Sequence, residues 1–341
     1  MKFSGVISAL AALLLLASCK EPATGRKDCN GVYYWKTSFA LDSTETAFLR
    51  DNEVGRLYLR FFDVDVEDGP MAHLSDIVPV GTVTFDGPVP EGVEIVPTVF
   101  ITERAARVIR DIPDATDKIL TRILNMADYN RLGAISEIQL DCDWAESTRD
   151  TFFALCAEMR KQLKEKGIIL SATIRLHQLD SPAPPVDRGV LMLYNTGNFR
   201  SPSTKNSILD TRDAAPFLKG KKIRYGIPLD FAWPVYGWAI WMRDGQFAAI
   251  IHSTDFSDST LYQTGSDGII TVITEHERDG HTLKPGDRIR VEIPSAATIL
   301  EVKELVRSAF PDEPHSNIIY HLDSTSLSKF NDHEIKSILG D

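Results

Sequence analysis

Cysteine is scarce: the 341-residue chain has four, and only Cys29, Cys142 and Cys156 lie beyond Cys19. No CxxC pair or zinc-ligand spacing occurs, and an odd number argues against a disulfide framework. Positive charge is also short, with 37 Lys and Arg against 48 Asp and Glu and a net charge of −11. That balance argues against nucleic acid or an anionic membrane surface as partner, since both need basic patches. The G-x-S-x-G elbow of serine hydrolases and glycine-rich phosphate loops are missing. So are solenoid-length repeats and low-complexity tracts.

One long apolar run exists, "VISALAALLLLA" at 6–17, preceded by Lys2. Its length suits a signal peptide and is short for a membrane span. It leads into "LASC" (16–19), which resembles the lipobox of bacterial lipoproteins. The resemblance implies that residues 1–18 are removed and that Cys19 becomes the lipid-modified first residue. Residues 19–30, charged and containing Pro and Gly, read as a flexible tether. Lys20-Glu21 faintly resembles an export signal of some bacterial surface lipoproteins. The expected location is the bacterial cell envelope, lipid-anchored at the outer membrane and facing the periplasm or the cell surface, with the lipid at Cys19 as the membrane contact.

A hydrophobic content of 43% supports a substantial core. Eight segments rich in β-branched and aromatic residues read as strands: 31–36, 56–63, 95–102, 134–141, 168–175, 189–194, 223–230 and 317–323. Several are near-continuous apolar runs, as in parallel strands covered on both faces. Between the fourth and fifth, Phe152, Cys156, Met159 and Leu163 keep helical spacing, Ser147 and Asp150 suggest a capping box, and Gly167 can end the helix. Further helices are expected near 114–129 and 296–309. Strands alternating with helices imply an α/β fold, here an irregular (β/α)8 TIM-like barrel over 31–235 and 295–341. Two connections break the pattern: 176–188 is too short for a helix, and 64–93 is a Pro/Gly-rich excursion. Residues 236–294 carry turn signals at Asp244-Gly245, Asp279-Gly280 and Pro285-Gly286, so they read as an antiparallel β insertion between strands seven and eight.

The fourth strand raises the functional question. In "SEIQLDCDW" (136–144), Glu137, Gln139, Asp141 and Asp143 share one face and Ile138, Leu140 and Cys142 the other. In a barrel the first set points to the axis, with the aspartates at the C-terminal end where barrel enzymes assemble their sites. On the fifth strand Ser171, Thr173, Arg175 and His177 share a face. The seventh brings Asp230, and the eighth ends in His321 and Asp323. The competing structural reading pairs Glu137 and Asp141 with Arg60 or Arg175 in a buried network.

"EIQLDCDWAESTRDTFFALCAEMRKQL", "LSATIRLHQL" and "VDRGVLMLYNTGN" together resemble a bacterial family of glycoside-hydrolase-like TIM barrels. The resemblance implies the barrel and suggests carbohydrate. The Asp-x-Asp strand also looks like the fourth strand of chitinase-type barrels, where a Glu two positions after the second Asp is the general acid. Here that position is Ala145, with Glu146 one residue out of phase, which speaks against chitinase-type chemistry.

Glycoside hydrolysis takes two carboxyl groups, one of them protonated. Asp141 and Asp143, about 6.5–7 Å apart by the rise of a strand, are close enough to perturb each other. Asp143 is the expected acid/base, with Asp141 beside it and Asp230 as the second carboxylate, ahead of Asp63 and Asp323. Arg175 and His177 would orient substrate, Asn195 and His321 would add polar contacts, and Trp35, Trp233, Tyr236 and Trp238 would offer stacking faces. Asp63, Asp65, Asp141 and Asp143 are hard oxygen donors, yet no continuous loop motif gathers them for Ca2+ or Mg2+. No metal or cofactor is expected. The first reading is therefore a glycoside-hydrolase-like protein acting on or binding a glycan at the barrel mouth. The alternative is a non-catalytic surface lipoprotein binding a glycan or a protein partner. A second carboxylate roughly 5–10 Å from Asp143 across an open cleft separates the two.

Overall fold

The computed structural model describes residues 29–67, 77–311 and 315–340; Cys19 lies outside the described residues. Eight parallel strands close a barrel: β1 (Gly31–Tyr34), β2 (Arg56–Val66), β3 (Glu94–Ile101), β4 (Glu137–Asp141), β5 (Ile169–Arg175), β6 (Arg188–Met192), β7 (Leu229–Pro234) and β8 (Asn317–Tyr320). Each pairs with its neighbour in sequence, and β8 closes the ring onto β1 with Gly31 opposite Ile318. The fold is the expected TIM-like barrel.

Helices α1 (Ser43–Asp51), α2 (Glu103–Val108), α3 (Ile112–Tyr129), α4 (Glu146–Lys164), α5 (Thr211–Leu218), α6 (Ala296–Ala309), α7 (Ser324–Leu327) and α8 (Asp332–Leu339) follow the strands. The spacing of Phe152, Cys156, Met159 and Leu163 did mark the buried face of α4. Its start differs from expectation. Ser147 lies inside the helix, and the Thr148 hydroxyl accepts the Ala145 N–H at 3.0 Å. Trp144, three residues past the strand, is buried, and the helix begins at Glu146, ahead of the expected cap.

The irregular connections take the forms their composition suggests. After β5 comes only a single 3-10 turn, Leu176–Asp180. After β2 the chain folds back as an antiparallel strand, Ile77–Val80, with Val80 opposite Asp63. The seventh strand is a correction: 223–230 is not the strand, which runs 229–234. Gly226 turns with a positive φ of 88°, and Pro228 contributes only its carbonyl, accepting the Gly189 N–H.

Residues 238–292 contain a five-stranded antiparallel sheet, ordered 246–251, 238–243, 288–292, 270–272, 262–264, and a hairpin of 276–278 with 281–283. Asp244-Gly245 and Asp279-Gly280 both take positive φ at both positions, as tight hairpin turns require. This insertion buries its own core, including Trp241, Phe256, Tyr262 and Ile289.

Two layers make up the barrel core. Ile138, Leu140, Leu170, Ile174 and Phe231 pack outward against Phe152, Met159, Val302 and Val306 of the helices. Tyr33, Tyr58, Met192, Tyr194, Tyr236 and Ile318 fill the inside of the barrel and its C-terminal end.

Candidate functional site

The polar face of β4 is a ladder whose rungs differ in purpose. At the bottom, fully buried Glu137 lies 3.8 Å from Arg56, which also pairs with Glu94 at 2.8 Å. One rung up, Gln139 accepts the Tyr33 hydroxyl at 2.7 Å and donates to Ser171 at 3.3 Å. These two rungs close the barrel floor with paired groups, although Glu137 Oε1 and Arg56 Nη1 are buried without a hydrogen bond. Arg56, rather than Arg60 or Arg175, is thus the partner of Glu137.

The upper rungs carry the site. Asp141 is only 3% exposed and accepts the Thr173 hydroxyl at 2.6 Å. Burial pushes its carboxyl up to about 6; Arg175 opposes this, while Asp143 and Asp63 add to it. Asp143 lies just past the strand end, with its side chain 54% exposed, and accepts the Nε–H of Arg175. Burial works against the Arg175 charge, but Asp141 and Asp143 more than offset it, so the guanidinium stays protonated. Its Nη1 is buried without a hydrogen bond, and the group sits 5.8 Å from the Tyr194 ring centre.

Aromatic rings surround this charge cluster. Tyr194 stacks on Tyr320 at 4.6 Å, and Tyr33 stacks on Tyr58 at 4.9 Å. Tyr236 meets Tyr320 edge-on at 5.4 Å, and half-buried Trp35 tilts against it at 6.0 Å. Burial raises the phenol pKa of Tyr33, Tyr194 and Tyr236, so all three are neutral donors. Beside the rings a cleft of about 350 Å³ is lined by Asp143, Arg175, His177, Tyr194, Asn195 and Thr196. The Tyr194 hydroxyl is buried there without a hydrogen-bond partner. A roomier groove of about 800 Å³, lined by Phe62, Ile77, Ile119, Met126 and Tyr129, contains none of the mouth residues.

The structure brings Trp35, Asp63, Asp141, Asp143, Arg175, His177, Asn195, Tyr236 and His321 to the C-terminal end of the barrel. Asp63 is gripped there by Arg60 in a two-point pair at 2.8 and 2.5 Å. His177 does not continue the β5 face; the strand stops at Arg175, and His177 is an exposed part of the following 3-10 turn. Asn195 takes a left-handed φ of 55° and accepts the Tyr236 hydroxyl at 2.6 Å. His321 packs edge-on to Tyr320, and burial lowers its pKa to about 4, leaving a neutral imidazole.

Three expected site residues serve elsewhere. Asp230 is the second residue of β7, at the N-terminal end of the barrel, and is completely buried. It accepts from Arg188 at 3.1 Å and from the Ser316 N–H at 2.8 Å. The seventh strand begins six residues later than its composition suggests, which moves Asp230 from the end of the strand to its start. Trp233 points outward into the helix layer and donates to Asn317 at 2.9 Å, so it offers no face to a ligand. Asp323 caps α7 through the Ser326 N–H and pairs with Lys36 at 3.2 Å. Burial acts to raise its pKa, but these two partners hold it below the usual carboxylate range. The tyrosines at 33, 58, 194 and 320 were not among the expected site residues. Their signal lay in strand alternation: Tyr33, Tyr58 and Tyr320 are on the inward faces of their strands, and Tyr194 keeps the inward alternation of Val190 and Met192 two residues past the end of β6.

No protein-family model matches this sequence, and no curated protein matches it significantly. The fold is shared with solved chitinases. One from Chromobacterium violaceum covers 92% of this chain and 100% of its own at 13% identity, with a TM-score of 0.55. The Group IV chitinase of Ostrinia furnacalis covers 92% and 98% at 10% identity, TM-score 0.54. Catalytic domain 2 of the Ostrinia furnacalis Group II chitinase covers 91% and 95% at 12% identity, TM-score 0.52. At these identities what this chain has in common with them is the barrel fold.

Proposed function

We propose that the protein binds a glycan at the C-terminal mouth of its barrel and leaves it uncleaved. The observation that carries this reading is the fate of the carboxylates. Asp143 is the one acid of the expected set that both lines the cleft and is half-exposed. Asp141 has a raised pKa but is sealed beneath the mouth, Asp63 is held by Arg60, Asp323 caps a helix, and Asp230 is at the opposite end. Where the chitinase-type barrel has its general acid, this chain has the exposed methyl of Ala145. Hydrolysis needs a proton donor opposite a second carboxylate. Binding needs aromatic faces for the C–H faces of sugars and polar groups for their hydroxyl or amide groups. The mouth supplies these in Trp35, Tyr194, Tyr236, Arg175, Asp143 and Asn195.

Two neighbours of the same fold suggest the first ligand to try. The Ostrinia Group II domain has been solved with a penta-N-acetylchitooctaose described as (NAG)5, and the Group IV enzyme with allosamidin. A five-unit N-acetylglucosamine oligomer should bind saturably in a calorimetric titration. Trp35→Ala should weaken it about tenfold, the value of one lost stacking face. Asp143→Asn should weaken it similarly while shifting stability by no more than about 1 kcal/mol, because the Asp143 side chain is half-exposed and Arg175 keeps Asp141 beside it. Marked destabilisation by Asp143→Asn with affinity intact makes the aspartate structural.

The lipid anchor is part of the same proposal. Cys19→Ala should abolish incorporation of a fatty-acid analogue and release the protein from the membrane fraction. Equal labelling of the variant refutes the anchor.

A further inference from the structure

The insertion strand 288–292 carries Arg290 and Glu292 two residues apart, hence on one face. Both charges are buried, at 5% and 1% exposure. Arg290 Nε donates to Glu292 Oε1 at 2.6 Å. Most of the other bonds of both groups leave the insertion for the segment that follows β6. Arg290 donates through Nη1 to the Ser201 carbonyl and through Nη2 to the Phe199 carbonyl, each at 3.1 Å. Glu292 Oε2 accepts the Ser207 N–H at 2.9 Å and also the Ser207 hydroxyl. The same oxygen accepts the indole N–H of Trp238 at 2.8 Å.

That segment forms one rim of the cleft. Its base is closed by Gly197 N–H to Ser207 carbonyl at 3.0 Å and Thr196 N–H to Ile208 carbonyl at 3.3 Å. The chain approaches closely at Gly197, where a Cβ would stand 2.7 Å from Asp213 Oδ2 and 3.1 Å from Ser207 Cα. Asn195 and Thr196, at the near end, line the cleft. Trp238 packs against Tyr236 at 5.6 Å and against Phe199 at 6.5 Å, and Tyr236 in turn donates to Asn195. The buried pair therefore touches the rim, the tryptophan beside it and, through them, the polar wall of the mouth.

We propose that Arg290 and Glu292 are positioning residues that lock the 195–207 rim onto the insertion and hold the Trp238 indole beside it, setting the shape of the glycan cleft without touching the ligand. This rests on the reading of the mouth as a glycan site. A buried ion pair is a poor device for stability alone, since apolar groups of similar volume often serve as well or better. Apolar groups cannot, however, supply directed bonds to three backbone groups of a loop. Fixing those groups in advance removes an ordering cost from binding.

The test replaces both charges together, so that neither is left stranded. In Arg290→Met/Glu292→Leu, cooperative unfolding should persist, while amide exchange across 199–207 should quicken about tenfold or more as its bonds are lost. Indole fluorescence should shift, and affinity for the five-unit N-acetylglucosamine oligomer should fall about tenfold as the rim loses its order. Unchanged exchange across 199–207 overturns the lock. Faster exchange with undiminished affinity overturns its role in recognition. If the wild-type protein binds no oligomer, the reading of the mouth fails, and exchange, which is measured without ligand, still decides the lock. Should the double variant not fold, Ser207→Ala removes only the hydroxyl bond to Glu292. It should then quicken rim exchange about threefold, a fraction of one hydrogen bond, and no change overturns the lock.

Discussion

Arg175→Met is expected to destabilise the protein by about 3–5 kcal/mol at neutral pH and to abolish glycan binding. The size follows from what the guanidinium covers. It is the cation facing both Asp141 and Asp143, and Asp141 is almost entirely buried. Removing it leaves a buried carboxylate without its counter-charge, a far larger loss than breaking a surface pair. Because Asp141 can escape the penalty by binding a proton, the loss should shrink in acid. Denaturant unfolding at pH 5 and pH 7.5 reads both quantities. A loss below about 1 kcal/mol, constant with pH, makes Arg175 no more than the partner of exposed Asp143.

Asp141→Asn is expected to stabilise the protein at pH 7, the opposite sign. The folded-state pKa of Asp141 is about 6 against an ordinary value of 3.8. Between those values the folded state holds the extra proton, so stability falls as pH rises from roughly 4 to roughly 6 and stays lower above. The gap corresponds to about 3 kcal/mol at most. Asparagine can still accept the Thr173 hydroxyl, and Arg175 keeps Asp143, so the amide removes the penalty without stranding a partner. The gain should be about 1–3 kcal/mol at pH 7 and should vanish near pH 4. A loss of stability at pH 7 shows that the Asp141 charge supports the fold instead. Taken with the Arg175 result, this separates a charge kept for a ligand from one kept for the barrel.

What could be read from the sequence was what depends on neighbours along the chain. Alternation assigned Gln139, Asp141, Ser171, Thr173 and Arg175 to the axis and Ile138, Leu140, Leu170 and Ile174 to the helices, because side-chain direction has a strict period of two. The hairpin turns at Asp244-Gly245 and Asp279-Gly280 were equally local, fixed by residues that tolerate positive φ. The height of Asp230 was not local. Its inward direction follows from alternation, but its level depends on where β7 meets Gly189 of β6 and Ser316 before β8. Trp233 is of a type that suits a ligand platform, while its outward direction places it in the core. The tyrosine cluster and the bonds of the Arg290–Glu292 pair to the 199–207 segment each join parts of the chain that only the closed barrel brings together.

Whether the mouth holds a glycan without cutting it is decided by one incubation. The wild-type protein and Asp143→Asn are each kept with the five-unit N-acetylglucosamine oligomer at pH 6, near the raised pKa of Asp141, where a buried acid has its best chance to act. Calorimetry reads binding, and mass spectrometry reads the oligomer afterwards. Saturable binding by the wild type, weakened in Asp143→Asn, with the five-unit oligomer recovered whole from both, is the result expected of a binding barrel. Shorter oligomers released by the wild type and absent with Asp143→Asn would overturn it and make Asp143 a working acid.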